Sequence, residues 1–227
     1  MGSILEALSP EQQIACSTQN NILLTACPGS GKTRTLTHRL AYQVLRDPAS
    51  KKIKIAITYT NRAAEEITNR LEGMNIDQSS IWAGTIHQFC MHFIIRPYAM
   101  YSERLCKGYR IIDDYSKKAY GREIAERLGM HLNYYDDPFQ YENVRTEYKR
   151  VLKEKKEIDF DAILLISEEL LASCAFIGSN IASVISSILV DEFQDTNELQ
   201  YSILSTIYKA NKSIILMFVG DVNQAIY

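Results

Sequence analysis

The stretch Ala26-Cys27-Pro28-Gly29-Ser30-Gly31-Lys32-Thr33 has the residue types and spacing of a loop that holds phosphate. Gly29 and Gly31 let the backbone bend so that successive N–H groups face phosphate oxygens. A helix that follows directly would add the positive end of its dipole. Lys32 supplies a point charge for β- and γ-phosphates, and the Thr33 hydroxyl supplies a ligand for Mg²⁺. The expected cofactors are therefore ATP and Mg²⁺. Ala26 stands where the strict pattern has Gly. Such a loop calls for an acid at the end of a neighbouring apolar strand, and Ile188-Leu189-Val190-Asp191-Glu192 supplies it. Asp191 would hold Mg²⁺ directly or through water. Glu192 would polarise an attacking water as general base. Two adjacent acids after one strand also fit a solvated helix start, but the phosphate loop favours catalysis. A base for water favours hydrolysis over transfer.

These residues need a scaffold. Four apolar, β-branched runs read as strands: Asn21 to Ala26, Ile53 to Tyr59, Ser187 to Val190 and Ser213 to Val219. Each leads into a helical pattern, which predicts an α/β fold, a parallel sheet with helices on both faces. Ligands in such sheets sit at the strand C-terminal ends. Helices are expected over Thr33 to Arg46, Arg62 to Leu71 with Asn61 as cap, Ile86 to Ile95, and after a cap at Asn197. Strands two and three lie far beyond a normal crossover in sequence. The segment between them is rich in Tyr, Lys, Arg and Glu and predicts helices over Ser116 to Leu128, Tyr141 to Lys156 and Asp159 to Ala172. This predicts a discontinuous nucleotide-binding domain, 1–97 with 174–227, carrying an inserted helical subdomain, 98–173.

The 227 residues, 46% hydrophobic and 23% charged, suit a folded globular chain and argue against disorder or a coiled coil. No apolar run reaches the roughly 20 residues of a membrane span, and no signal peptide is visible, so no membrane partner and a cytoplasmic location are expected. Net charge is −2. A nucleic-acid partner would thus be held by a local patch or by neutral and aromatic groups. The five cysteines form no CxxC pair and read as reduced, mostly buried thiols.

Asp191-Glu192-Phe193-Gln194-Asp195-Thr196-Asn197 resembles motif II of the UvrD/Rep/PcrA group of superfamily 1 DNA helicases. Other motifs of that family occur in order. Leu8-Ser9-Pro10-Glu11-Gln12, with Ala15 three residues on, resembles the Q motif. Ala26 to Arg34 resembles motif I. Thr58-Tyr59-Thr60-Asn61-Arg62-Ala63-Ala64 resembles motif Ia, and Gly84-Thr85-Ile86-His87 resembles motif Ib. Gly220-Asp221-Val222-Asn223-Gln224-Ala225-Ile226-Tyr227 resembles the start of motif III. Asn223 and Ala225 depart mildly from the Asp and Ser of many members. The resemblance implies a RecA-like P-loop NTPase fold and ATP-driven movement on single-stranded DNA, 3′ to 5′.

It also implies roles. ATP would be bound by Gln12, Pro28, Gly29, Ser30, Gly31, Lys32, Thr33 and Arg34, with Gln12 on the adenine edge and Arg34 stacked on its face. Lys32, Glu192 and Gln224 would serve catalysis, Gln224 as γ-phosphate sensor. Gln194 would couple the ATP site to neighbouring motifs. Tyr59, Thr60, Asn61, Thr85 and His87 would face DNA. Tyr59 also fits plain strand packing, and His87 also fits a hydrogen-bonded core histidine. The charged run Arg145 to Lys156 fits a solvated face better than a DNA-facing one. Most of the 14 tyrosines sit at positions that look like helix packing.

Family members continue past motif III into a second RecA-like domain that brings transition-state arginines. The expectation is thus an N-terminal motor half that is nearly inactive alone. The alternative is a nucleotide- or DNA-sensing ATPase subunit of a nuclease or anti-phage defence complex without processive unwinding. A nuclease or repair partner fits either case. A small-molecule phosphotransferase would need neither the Gln194 to Asn197 tail nor Thr60-Asn61.

Overall fold

Ile22–Thr25 (β1), Ile53–Thr58 (β2), Ile81–Thr85 (β3), Ile185–Val190 (β4) and Ile215–Gly220 (β5) form a five-stranded sheet in the computed structural model, which describes residues 2–27, 29–133 and 135–221. The order is β1-β5-β4-β2-β3, and every pairing is parallel. Ile, Leu and Val dominate β2 and β4, as strands covered on both faces require. Parallel pairing brings all five C-terminal ends to one edge. Thr25 pairs with Gly220, Val190 with Phe218, Ile57 with Val190, and Thr58 with Thr85. The expected RecA-like α/β architecture is thus present. β3 was not expected: Trp82, Ala83 and Gly84 give it neither a β-branched run nor alternation.

Three helices cover the first half of the sheet. Pro10–Ser17 (α1) starts at Ser9, whose hydroxyl accepts from the Gln12 N–H while the Gln12 side chain accepts from the Ser9 N–H. Lys32–Arg46 (α2) follows the phosphate loop. Asn61–Gly73 (α3) is capped by the Thr60 hydroxyl, which accepts from the Ala63 N–H at 3.2 Å. The expected cap, Asn61, is instead the first helical residue. Leu36, Leu40, Ala41 and Val44 of α2 and Ile67 and Leu71 of α3 pack against Ala56, Leu189, Met217 and Val219 of the sheet. Each of the Leu, Ile, Val and Met side chains contributes about 1.5–3 kcal/mol of burial. Arg39 of α2 is fully buried and donates to the Ala15 and Asn20 carbonyls, which fastens α1 to α2.

Two compact units divide the chain: Met1–Phe89 with Cys174–Tyr227, and Cys90–Ser173. The first break follows Phe89 and not residue 97. The cause is local: Ile86–Phe89 is one α-helical turn, then Cys90–Ile95 is π-helical and packs on Phe160–Ser173. The apolar run Ile86 to Ile95 therefore does not form one regular helix. The second unit holds Asp114–Arg127 (α4), Glu142–Lys155 (α5) and Phe160–Ser173 (α6), close to the three expected helices. Its core joins Ile112, Ile124, Ala125, Val144, Tyr148 and Leu152. A two-residue parallel pairing, Arg110–Ile111 with Glu157–Ile158, joins the segment before α4 to the segment before α6. Arg150 on α5 is ion-paired to Glu147 and Glu154, so this charged run is a solvated, paired face. Packing accounts for Tyr148, which is buried, but not for Tyr115 and Tyr135, which stand in solvent.

The chain re-enters the first unit through Ala175–Val184 (α7), a helix the sequence did not announce, and then Glu198–Ala210 (α8). Asn197 caps α8 as expected, with Gln200 completing a capping box. All five cysteines are free. Only Cys16 and Cys90 are buried, and burial pushes their thiols up to about 11 and about 12; Cys27 and Cys106 are exposed, so the thiols are not mostly buried. Among the described residues, no helix is long and apolar enough to cross a membrane.

Candidate functional site

The helix start at Lys32 differs from those at Pro10, Asn61 and Glu198, and shares with the start of α7 the lack of a side-chain cap. Its N-cap is Gly31 at φ +86°, and no side chain caps it. The first backbone N–H groups of α2 therefore lack the side-chain acceptor that Ser9, Thr60 and Asn197 provide elsewhere. Gly29 is also left-handed, at φ +78°. The Ser30 N–H donates to the Cys27 carbonyl at 3.2 Å, which closes the turn, and the Ala26 N–H donates to the Gly220 carbonyl, which ties the loop's root to β5. An open helix N-terminus within a tight glycine turn is an anion cradle.

Side chains from β4 close in on this cradle. The Thr33 hydroxyl donates to Asp191 Oδ2 at 3.0 Å. Lys32 Nζ lies 3.4 Å from Glu192 Oε2. Asp191 is buried, and that burial raises its carboxyl above the ordinary range; the Thr33 hydroxyl opposes the rise, and Glu192 adds to it. Glu192 sits at φ +51°, a left-handed conformation uncommon for a non-glycine residue. Its N–H donates to Asp191 Oδ1 at 3.1 Å. That turn sends two consecutive acids to different partners, Asp191 to Thr33 and Glu192 to Lys32.

Gln194 links this pair to the next strand. Its Nε2 donates to Glu192 Oε2 at 2.8 Å, and its Oε1 accepts from the Asp221 N–H at 3.1 Å. A Cβ on Gly220 would stand 2.7 Å from Gln194 Oε1, so only glycine admits the bridge at that position. Gln12 joins from α1: its Nε2 donates to the Ser30 carbonyl at 3.0 Å, while its Oε1 is spent on the Ser9 N–H. Both ends of the Gln12 amide are thus engaged within the protein, and reading an adenine edge requires exchanging those bonds. Arg34 is exposed and donates to the Ala7 carbonyl at 3.0 Å. Pro28 and Gln224 lie outside the described residues.

A cleft of about 620 Å³ runs over the loop, lined by Lys32, Thr33, Arg34 and Glu192 and also by His38, Arg70 and Met74. The last three went unread in the sequence. His38 follows Arg34 by four residues, one helical turn, which was the available signal. His38 Nδ1 meets the Arg34 carbonyl at 2.8 Å, and burial lowers the imidazole's pKa.

The other predicted residues sit further along the same edge. Tyr59 follows β2 and is 68% exposed, so strand packing does not account for it. Thr60 and Asn61 are exposed beside it. Thr85 ends β3 and begins a turn in which the Gln88 N–H donates to its hydroxyl at 3.3 Å and its own N–H donates to Gln88 Oε1 at 2.9 Å. His87 is half-buried one turn on. Because Thr58 and Thr85 are paired neighbours, Tyr59 to Asn61 and Thr85 to His87 form one cluster, with β4 between it and the rest of the sheet toward β1.

A parallel sheet whose first strand feeds a glycine-rich loop, and in which a strand two places along leads into acids that meet Lys32 and Thr33 of that loop, defines a RecA-like P-loop nucleotide-binding domain. The family described as AAA domain matches residues 11–227, and the chain belongs to that family. Its curated relatives include the ATP-dependent DNA helicase PcrA of Leuconostoc citreum, 28% identical over 93% of this chain and 32% of the relative. DNA helicase II of Escherichia coli K12 is 28% identical over 99% of this chain and 35% of its own length. PcrA of Staphylococcus aureus is 27% identical over the whole chain and 35% of its length. The resemblance to the UvrD/Rep/PcrA group is thus homology along the chain. The chain spans about a third of the length of these relatives.

Proposed function

We propose that this chain is the ATP-binding first motor part of a DNA helicase or translocase that works on single-stranded DNA in the cytoplasm, 3′ to 5′. The observation that carries the reading is the uncapped start of α2 facing Lys32, Thr33, Asp191 and Glu192, with an exposed aromatic and polar cluster on the same sheet edge. The names of the relatives support a helicase over a sensing subunit.

The donor set fits a magnesium-bound nucleotide. Mg²⁺ selects hard oxygen donors, and the Thr33 hydroxyl and the Asp191 carboxylate, 3.0 Å apart, supply them beside the phosphate loop. These two residues would hold Mg²⁺, which when bound supplies charge neutralisation at the β- and γ-phosphates. The N–H groups of the loop would orient the phosphates, and Lys32 would leave Glu192 to meet the γ-phosphate. Glu192, released from Lys32 but held by Gln194, would take the proton of the water that attacks the γ-phosphorus as the bond to the β–γ bridging oxygen breaks. Gln194 would carry the change at Glu192 to Asp221. Gln224 would sense the γ-phosphate, and Tyr59, Thr60, Asn61, Thr85 and His87 would grip DNA.

Transition-state arginines contribute roughly 10³–10⁵ in rate in comparable phosphoryl transfers. A second RecA-like domain would supply them, so residues 1–227 alone should bind Mg-ATP weakly and hydrolyse it very slowly. The test is ATP hydrolysis by the full-length protein with and without single-stranded DNA, together with strand displacement. DNA-stimulated hydrolysis with unwinding is expected. Stimulation without unwinding would favour the sensing subunit, and an absence of nucleotide binding would sink both.

A further inference from the structure

The opposite edge of the sheet, where β2, β4 and β5 begin, carries a second cleft, of about 360 Å³, beneath the C-terminal end of α2. Gln43, Arg46, Asp47, Lys54, Ser186 and Ser187 line it. Lys54 is the unexpected member. It is the second residue of β2 and only 3% exposed. Two-residue alternation puts it on the face of Ala56, the face that α2 covers. The ladder between β2 and β4 shifts register between Ile53 and Lys54, an irregularity of the kind that re-aims a side chain.

The lysine is poorly served by the protein. Among the described residues its Nζ meets only the Lys52 carbonyl, at 3.5 Å, the outer limit of a hydrogen bond. Neither Lys54 nor Arg46 forms an ion pair among the described residues. A buried ammonium so weakly partnered is costly, and burial does lower the Lys54 pKa, with Asp47 opposing from a distance. Gln43 Oε1 accepts from the Ser187 hydroxyl at 2.8 Å, which leaves the Gln43 amide N–H groups without a protein acceptor among the described residues. Two cations therefore face one carboxylate. The C-terminal dipole of α2 adds about half a negative charge, so a positive remainder persists.

We propose that this cleft binds a small anion bearing a phosphate or carboxylate group, seated between the Lys54 ammonium and the Arg46 guanidinium, with the Gln43 amide as a further donor. The site stands apart from the phosphate loop, at the other end of a helix of 15 residues, about 22 Å long.

Isothermal titration of the full-length protein, saturated with Mg-ADP so that the phosphate loop is filled, tests this with inorganic phosphate and, separately, succinate. Sodium chloride at equal ionic strength is the control. Saturable one-to-one binding of either probe is expected, and which probe binds names the anion class. Lys54→Met should weaken it at least tenfold and Arg46→Gln several-fold, with Mg-ADP affinity unchanged in both. Arg46 is exposed, so its variant keeps the test valid should Lys54→Met fail to fold. Nucleotide-free Lys32→Ala protein should give the same isotherm, which separates this cleft from the loop. Heat no different from chloride, binding unaltered by both substitutions at the cleft, or binding lost in Lys32→Ala would overturn the proposal.

Discussion

The two ends of the sheet's C-terminal edge are built differently. Around β1, β4 and β5, polar groups from separate segments hold one another: Thr33 to Asp191, Lys32 to Glu192, and Gln194 to both Glu192 and the Asp221 N–H. Around β2 and β3, polar groups are spent locally, Thr60 on the start of α3 and Thr85 on its own turn, while Tyr59 stands out with 68% of its surface exposed. The difference teaches that the nucleotide end is cross-linked between separate segments, through contacts that a bound nucleotide would exchange. The other end offers a surface that is locally shaped but not cross-linked.

Substitutions can break or sharpen that contrast. The largest effect should come from Glu192→Gln, which keeps the Gln194 contact within reach but removes the base. DNA-stimulated turnover should fall by about 10²–10⁴, the usual contribution of a general base, while ATP binding persists in a fluorescent-nucleotide assay. Equal turnover would remove Glu192 from its role. Next, Gly220→Ala should cost about 1–3 kcal/mol by forcing Gln194 off its bridge, read as a lower denaturant midpoint. The same substitution should reduce the dependence of ATPase on DNA, since it cuts the link from Glu192 to β5.

At the other end the effects should be smaller and should separate cleanly from stability. Tyr59→Ala should weaken single-stranded DNA binding by about 1–3 kcal/mol through lost base stacking, and leave the unfolding midpoint unchanged. A shifted midpoint with intact DNA binding would return Tyr59 to a packing role. Thr60→Ala should do the reverse, lowering stability by about 1 kcal/mol through loss of the helix cap, with a modest effect on DNA binding. Circular dichroism during urea unfolding checks the first, and a DNA titration the second.

The nucleotide end was legible because its residues occur in short contiguous runs whose types have few other uses: Gly29 to Thr33, and Asp191 with Glu192. The bridge at Gln194 was legible only through resemblance. Its partner Asp221 directly follows β5, and nothing in the local sequence says that β5 and β4 are neighbours. β3 escaped notice because Trp82-Ala83-Gly84 lacks strand periodicity, and it earns its place by pairing with β2. The π-helical turn at Cys90–Ile95 escaped for the opposite reason, since an apolar run of that length satisfies an ordinary helix pattern equally well. Asn61 and Thr60 are both good caps, and only backbone geometry chose Thr60. Lys54 gave no signal at all: a lysine within an apolar strand reads as solvent-facing until the helix above it is placed.

Arg39 carries a last consequence. A guanidinium keeps its charge at any ordinary pH. This one is fully enclosed, its bonds reaching the carbonyls of Ala15 and Asn20 on the segment that carries Gln12. Peeling that segment from the domain would take both carbonyl acceptors from the guanidinium, so α1 is held to the domain. Its amide protons should exchange with solvent at the slow pace of the sheet, and Gln12, proposed to read the adenine edge, would be anchored to the core through that segment.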